Sequence, residues 1–190
     1  MGYRALTIGT FAPGVDLDHP DLDALWSTAA HLRMPIVLHP LYLYGEPRLA
    51  SYDLPNAIGR LNDTAIAVAR LLYAGVLTTH AGLEMLVVHG GGSVPYALGR
   101  LCRNFDLHRD ELADPRVGFA RLHFDSVVYD PAPLRYLVEL AGADHVLLGS
   151  DYPFPVMDPH PQMVVNNAGF DAATVEAISS GNARRLFNLP

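Results

Sequence analysis

Five short apolar runs recur along the chain: residues 5–9 (ALTIG), 35–39 (PIVLH), 85–89 (MLVVH), 121–125 (RLHFD) and 146–150 (VLLGS). They are continuous rather than alternating, which suits strands buried on both faces of a parallel sheet. Amphipathic stretches lie between them. Residues 20–33 open on Pro20 and Asp21 and place Leu22, Leu25, Trp26 and Ala29 on one stripe. Residues 62–73 start on Asn62 and Asp63 as candidate caps, and 94–105 carry Val94, Leu98, Leu101 and Phe105 at helical spacing. Residues 133–141 carry Leu134, Leu137, Val138 and Ala141; Asp171 is the predicted cap of a helix over 172–179, which breaks at Gly181. Alternating strands and helices give βαβ units in one domain over residues 1–190. Segment 40–60, with Pro40, Gly45, Pro47 and Pro55, reads as a long loop of the kind that often forms a lid. Five strands fall short of the eight in a (β/α)8 barrel of roughly 250 residues. The pattern therefore leaves an open α/β sheet or most of a barrel.

Composition narrows the class. Half of the 190 residues are apolar and 17% are charged, which excludes a disordered chain. With 13 Lys+Arg against 20 Asp+Glu the net charge is −7, unsuited to a broad nucleic-acid surface. No apolar run of about 18 residues exists, so no membrane span is expected. The start lacks a secretion-signal layout, and Leu6 breaks the myristoylation pattern. A lone Cys102 cannot form an internal disulfide and fits a reducing, cytoplasmic setting.

Three polar residues end apolar strands: His39, His89 and Asp151. The carboxyl ends of parallel strands are where α/β folds build sites. His39 is followed by Pro40, His89 by three glycines, and Asp151 by Tyr152-Pro153-Phe154-Pro155, an exit that fixes the carboxylate's direction. Two imidazoles and a carboxylate suit Zn²⁺ or Mn²⁺ and equally suit general acid–base work. Asp125-Ser126 ends a fourth strand, where it either orients a ligand from behind or caps a turn. His123 reads as a hydrogen-bonded core residue and Thr10 as structural; His19, His31, His80, His108 and His145 read as solvated. His160 sits between two prolines near the mouth. Arg100 either meets a substrate acid or forms an ion pair. Cys102 reads as a small core residue. Tyr42, Tyr44 and Tyr52 either stack on a substrate or cover the mouth.

At these residues the sequence resembles the amidohydrolase-related family (amidohydrolase 2 type) of metal-dependent decarboxylases and hydrolases, of the aminocarboxymuconate-semialdehyde decarboxylase kind. The likeness rests on Ile8-Gly9-Thr10 with Leu17-Asp18-His19-Pro20, on 35–40 (PIVLHP), on His89-Gly90-Gly91-Gly92 with Pro95 and Gly99-Arg100, on Asp125-Ser126 with Asp130-Pro131, on 148–155 (LGSDYPFP), and on Gly181-Asn182-Ala183. It implies a partial TIM barrel made of about the last five βα units, truncated on its N-terminal side, with one divalent metal, zinc first and manganese second. It assigns His39 and Asp151 as metal ligands and His89 as the proton-handling catalytic residue. The family's first-strand His-x-His pair and its early substrate-binding arginine have no counterpart in this sequence, and its tryptophan is replaced within 54–59 (LPNAIG).

The resemblance implies a decarboxylase or hydrolase of a small carboxylated, cyclic or unsaturated substrate; both reactions use the same constellation. The alternatives are a non-catalytic remnant that needs a partner for the absent ligands, and an open α/β binding protein. Open sheet edges would take a second copy or a partner chain bearing the absent strands.

Overall fold

The computed structural model describes residues 2–41 and 46–190; Tyr42 and Tyr44 lie outside them. The strands are β1 (Leu6–Ile8), β2 (Phe11–Ala12), β3 (Val15–Asp16), β4 (Ile36–Leu38), β5 (Met85–Val87), β6 (Leu122–Asp125) and β7 (Val146–Leu147). The helices are α1 (Asp23–Leu32), α2 (Arg60–Tyr73), α3 (Val76–Thr79), α4 (Val94–Leu107), α5 (Pro115–Phe119), α6 (Pro131–Ala141), α7 (Pro161–Asn166), α8 (Ala172–Glu176) and α9 (Asn182–Leu186). The five runs read from sequence form one parallel sheet in the order β1-β4-β5-β6-β7. β2 and β3 form a small hairpin around Pro13-Gly14, which the sequence reading passed over although that dipeptide is a turn signal.

Register explains the core. Leu6, Ile36, Met85 and Leu122 align across the sheet, as do Ile8, Leu38, Val87 and Phe124. From β4 to β6 both rows are fully buried, among Trp26, Leu71, Leu72, Leu134 and Leu137 from the helices. Burying each such side chain contributes about 1.5–3 kcal/mol. In the intervening row Thr7 is exposed and Val37 and His123 are half-buried, while Leu86 is buried. Burial on both faces, expected from the continuous runs, therefore holds at β5 and at the carboxyl end of β6, where Phe124 and Asp125 are both buried, but not at β1 or at Val37 and His123. The five strands form an open sheet with β1 and β7 at its edges. The sheet is a partial (β/α)8 barrel.

Several boundaries differ from the sequence pattern. Residues 47–49 and 55–59 are helical turns, so segment 40–60 is not loop throughout. Residues 55–59 run directly into α2, which begins at Arg60 rather than at a cap on Asn62 or Asp63. Asp63 is instead buried inside α2, where its carboxylate accepts a hydrogen bond from Thr10 Oγ1. Asp171 does cap α8, accepting from the Thr174 N–H at 2.8 Å. The chain stays helical through 177–181 into α9, without the break expected at Gly181, because that glycine keeps helical φ and ψ.

Burial pushes the Asp63 carboxyl above its ordinary value of 3.8, and the Thr10 hydrogen bond offsets only part of this. A carboxyl raised on folding stabilises fully below its unfolded value, and that contribution is lost as pH rises through its folded value. Asp63→Asn keeps an acceptor for Thr10 and removes the titration. Its stability advantage over the parent is expected to be absent below about pH 3.8 and to open above it. Urea midpoints measured against pH check this; a pH-independent difference contradicts it.

Candidate metal centre at the strand ends

β4, β5 and β7 each run out at the same end of the sheet, and each hands the chain to one polar side chain. His39 follows Leu38 directly, and its backbone N–H donates to the Ile8 carbonyl at 2.9 Å, so the parallel ladder fixes its position. The carbonyl of the next residue, Pro40, accepts from Arg60 Nη1 at 2.7 Å. Arg60, a role not read from the sequence, thus ties the exit of β4 to α2.

His89 leaves β5 with φ of 57°, and Asp151 follows β7 with φ of 59°. Left-handed backbone at a residue other than glycine costs about 1–3 kcal/mol and clusters at functional sites. The exit after Asp151 is held by Phe154 N–H to Asp151 O at 3.0 Å and by Asp158 N–H to Ser150 O at 2.8 Å; the Tyr152–Pro153 bond is cis. The glycine run after His89 serves packing: a side chain on Gly91 would meet the Phe124 ring, and one on Gly92 the Leu61 carbonyl.

These exits bring the three sequence-named residues together. His39 Nε2 lies 3.2 Å from Asp151 Oδ1, and His89 Nε2 lies 3.3 Å from the same oxygen. One ligand atom from each of the three lies within 4.8 Å of the other two. The side chains are 16%, 9% and 7% exposed for His39, His89 and Asp151. The His39 contact has hydrogen-bond geometry. The His89 contact does not, so His89 Nε2 is a buried nitrogen with no hydrogen-bond partner among the described residues. Two imidazole nitrogens aimed at one buried carboxylate oxygen, one of them unsatisfied, form a donor set that fits a divalent cation. The Nδ1 atoms of both rings are also without partners among the described residues. Stacking takes over part of the orientation: Phe154 lies against His39 at 5.3 Å between ring centres and 20° between planes, and His89 meets His39 edge-on at 5.2 Å. Phe154 stood in the sequence motif without a role; only the fold shows it.

The surroundings are electronegative. Asp125, fully buried beside this turn, has its carboxyl pushed up by burial, opposed by the charge of His89 and by backbone N–H donors. The Tyr129 hydroxyl is raised by burial first, then by Asp151, Asp125 and Asp158. A dication would neutralise this cluster of carboxylates.

The remaining sequence candidates lie elsewhere. His123 Nε2 pairs with Glu84 at 3.0 Å, and its ring stacks on His145 at 4.7 Å. His145 Nδ1 donates to the Leu122 carbonyl at 2.8 Å, and His80 pairs with Asp23 at 3.0 Å. Neither His80 nor His145 is the solvated residue expected, because each lies next to an acceptor contributed by a distant segment. Arg100 is exposed on α4 and forms no ion pair among the described residues. Burial pushes the Cys102 thiol up, consistent with an inert side chain. His160 and Tyr52 are exposed. No helix among the described residues is long and apolar enough to cross a membrane.

Parallel strands that gather two histidines and an aspartate at their carboxyl ends place the chain in the class of (β/α)8-type folds, partial here. Within that class the amidohydrolase family profile matches residues 1–189, and the chain belongs to this family. It is 31% identical over 195 residues to the 2-amino-3-carboxymuconate-6-semialdehyde decarboxylase of Dictyostelium discoideum, which covers all of this chain and 54% of that relative. The fold matches the apo crystal structure of Metarhizium anisopliae IDCase with a TM-score of 0.87 and 27% identity, covering 98% of this chain and 57% of that one. It also matches the D314N mutant of 5-carboxyvanillate decarboxylase LigW2 from Novosphingobium aromaticivorans, solved with bound manganese and a nitrobenzoic acid (TM-score 0.88, 19% identity, 99% of this chain and 58% of that one). The chain thus spans little more than half the length of these relatives.

Proposed function

We propose that the chain carries the metal-holding and proton-handling side of a decarboxylase site for a small aromatic or unsaturated carboxylate. The observation that carries this is the meeting of His39 Nε2 and His89 Nε2 on the single buried oxygen Oδ1 of Asp151. His39 and Asp151 hold the divalent ion, Zn²⁺ or Mn²⁺. When bound, that ion supplies Lewis acidity that draws in and orients the substrate's carboxylate side. His89 works at Nε2, its only atom aimed into the site: it delivers a proton to the carbon that carries the carboxylate. The bond from that carbon to the carboxyl group breaks, the electron pair stays on the carbon and takes the proton, and carbon dioxide leaves. Phe154 keeps the His39 ring in the plane that points Nε2 at Asp151 and gives the mouth an aromatic wall.

Decarboxylation is favoured over hydrolysis by the Dictyostelium discoideum relative, which is named a decarboxylase. The test is carbon dioxide release from a panel of hydroxylated benzoates and carboxymuconate semialdehydes by Mn²⁺-loaded and Zn²⁺-loaded protein. Release that stops on chelation supports the reading; metal-loaded protein that hydrolyses amides or esters and releases no carbon dioxide contradicts it.

One observation favours a second reading. No His-x-His occurs in the sequence, the candidate ligand group among the described residues counts three, and the outer edges of β1 and β7 are unpaired among the described residues. A segment that adds strands there, from a second copy or a partner chain, would complete the donor set. On this reading the chain by itself holds metal weakly and gains affinity on assembly, which light scattering with metal analysis on each fraction distinguishes.

A further inference from the structure

β6 lies between the strand that delivers His89 and the strand that leads to Asp151. It ends on Asp125 and Ser126, which are 6% and 1% exposed. The Asp125 carboxylate reaches toward one neighbour: its Oδ1 accepts the backbone N–H of Gly90 at 2.8 Å, and that of Val127 at 3.1 Å. Ser126 reaches toward the other: its Oγ accepts the N–H of Gly149 at 3.2 Å, and its own N–H donates to the Leu147 carbonyl at 2.8 Å. The fit on that side has no slack, since a Cβ on Gly149 would lie 2.9 Å from Asp125 Cβ and 2.9 Å from Val127 Cγ2. One residue pair therefore grips the chain one residue after His89 and two residues before Asp151.

A buried carboxylate is costly unless its lone pairs are filled. Here the backbone N–H groups of Gly90 and Val127 both donate to Oδ1, and the first belongs to the left-handed turn that aims the His89 ring. We infer that Asp125 and Ser126 are positioning residues that set the spacing between His89 Nε2 and Asp151 Oδ1. Neither is a metal donor. They act through backbone, so what matters at position 125 is an acceptor oxygen of the right reach rather than a negative charge. This rests on the metal-site reading above.

The test compares the parent with Asp125→Ala, Asp125→Asn and Ser126→Ala. Two readouts are used: the visible absorption spectrum and affinity of added Co²⁺, and, in metal-free protein, hydrogen exchange of the Gly90 and Gly149 amides with the NMR position of the His89 ring Cε1–H. Asp125→Ala is expected to weaken Co²⁺ binding by about 10–100-fold, change its spectrum and speed Gly90 exchange. Asp125→Asn, which still offers an oxygen, is expected to restore the parent spectrum and slow Gly90 exchange. Ser126→Ala is expected to speed Gly149 exchange and shift the Co²⁺ spectrum by less. Should Asp125→Ala fail to fold, the asparagine and Ser126 variants still decide. An asparagine variant as defective as the alanine one, or alanine variants with parental exchange and spectra, would overturn the inference. If the parent binds no Co²⁺, the metal reading fails by itself, while the exchange rates and the His89 resonance still decide this one.

Discussion

His39→Ala is expected to abolish retention of Mn²⁺ or Zn²⁺, with a loss beyond the about 10–100-fold caused by removing groups that only support a ligand. The variant removes one of the two residues assigned to hold the ion and leaves Asp151 as the other. His89→Ala is expected to behave differently: metal content is kept, and carbon dioxide release falls by about 10²–10⁴-fold, the range for losing a positioned proton donor. Metal analysis after dialysis, paired with initial rates, separates the two. Equal loss of metal in both variants would make His89 a ligand and leave the proton step without its residue.

Gly92→Ala is expected to be the most damaging single methyl group in the chain. Gly92 has φ of 62° and ψ of −129°, a region that side chains avoid, and its added Cβ would strike the backbone carbonyl of Leu61 on α2. Backbone cannot step aside as a rotamer can. Strain and overpacking together are expected to cost about 2–6 kcal/mol. Much of that is taken from the turn holding His89. Urea denaturation checks the cost, and a loss under about 0.5 kcal/mol, the range of neutral surface changes, contradicts it.

How much of this was legible in the chain differs by level. The five sheet strands were readable because each is a short, mostly apolar run set between helical patterns, and runs such as PIVLH end visibly on a polar residue. His39, His89 and Asp151 were readable for the same reason, since each is the first strongly polar group after such a run. What was not readable depends on partners distant in sequence. Asp63 looks like a helix cap, yet it faces Thr10, 53 residues away. His145 looks solvated, yet it stacks on His123. The stack of Phe154 on His39 requires two strand exits to be folded side by side. Asp125 was legible only as an ambiguity between support and turn; in the structure one carboxylate oxygen accepts from Gly90, after His89, and from Val127, in its own turn.

Anomalous diffraction from crystals soaked in Mn²⁺ tests the central claim most directly, because it reports position rather than activity. One peak is expected within coordination distance of both His39 Nε2 and an Asp151 carboxylate oxygen. A manganese peak elsewhere on the chain, with the His39 and Asp151 side chains bonded only to each other, would contradict it.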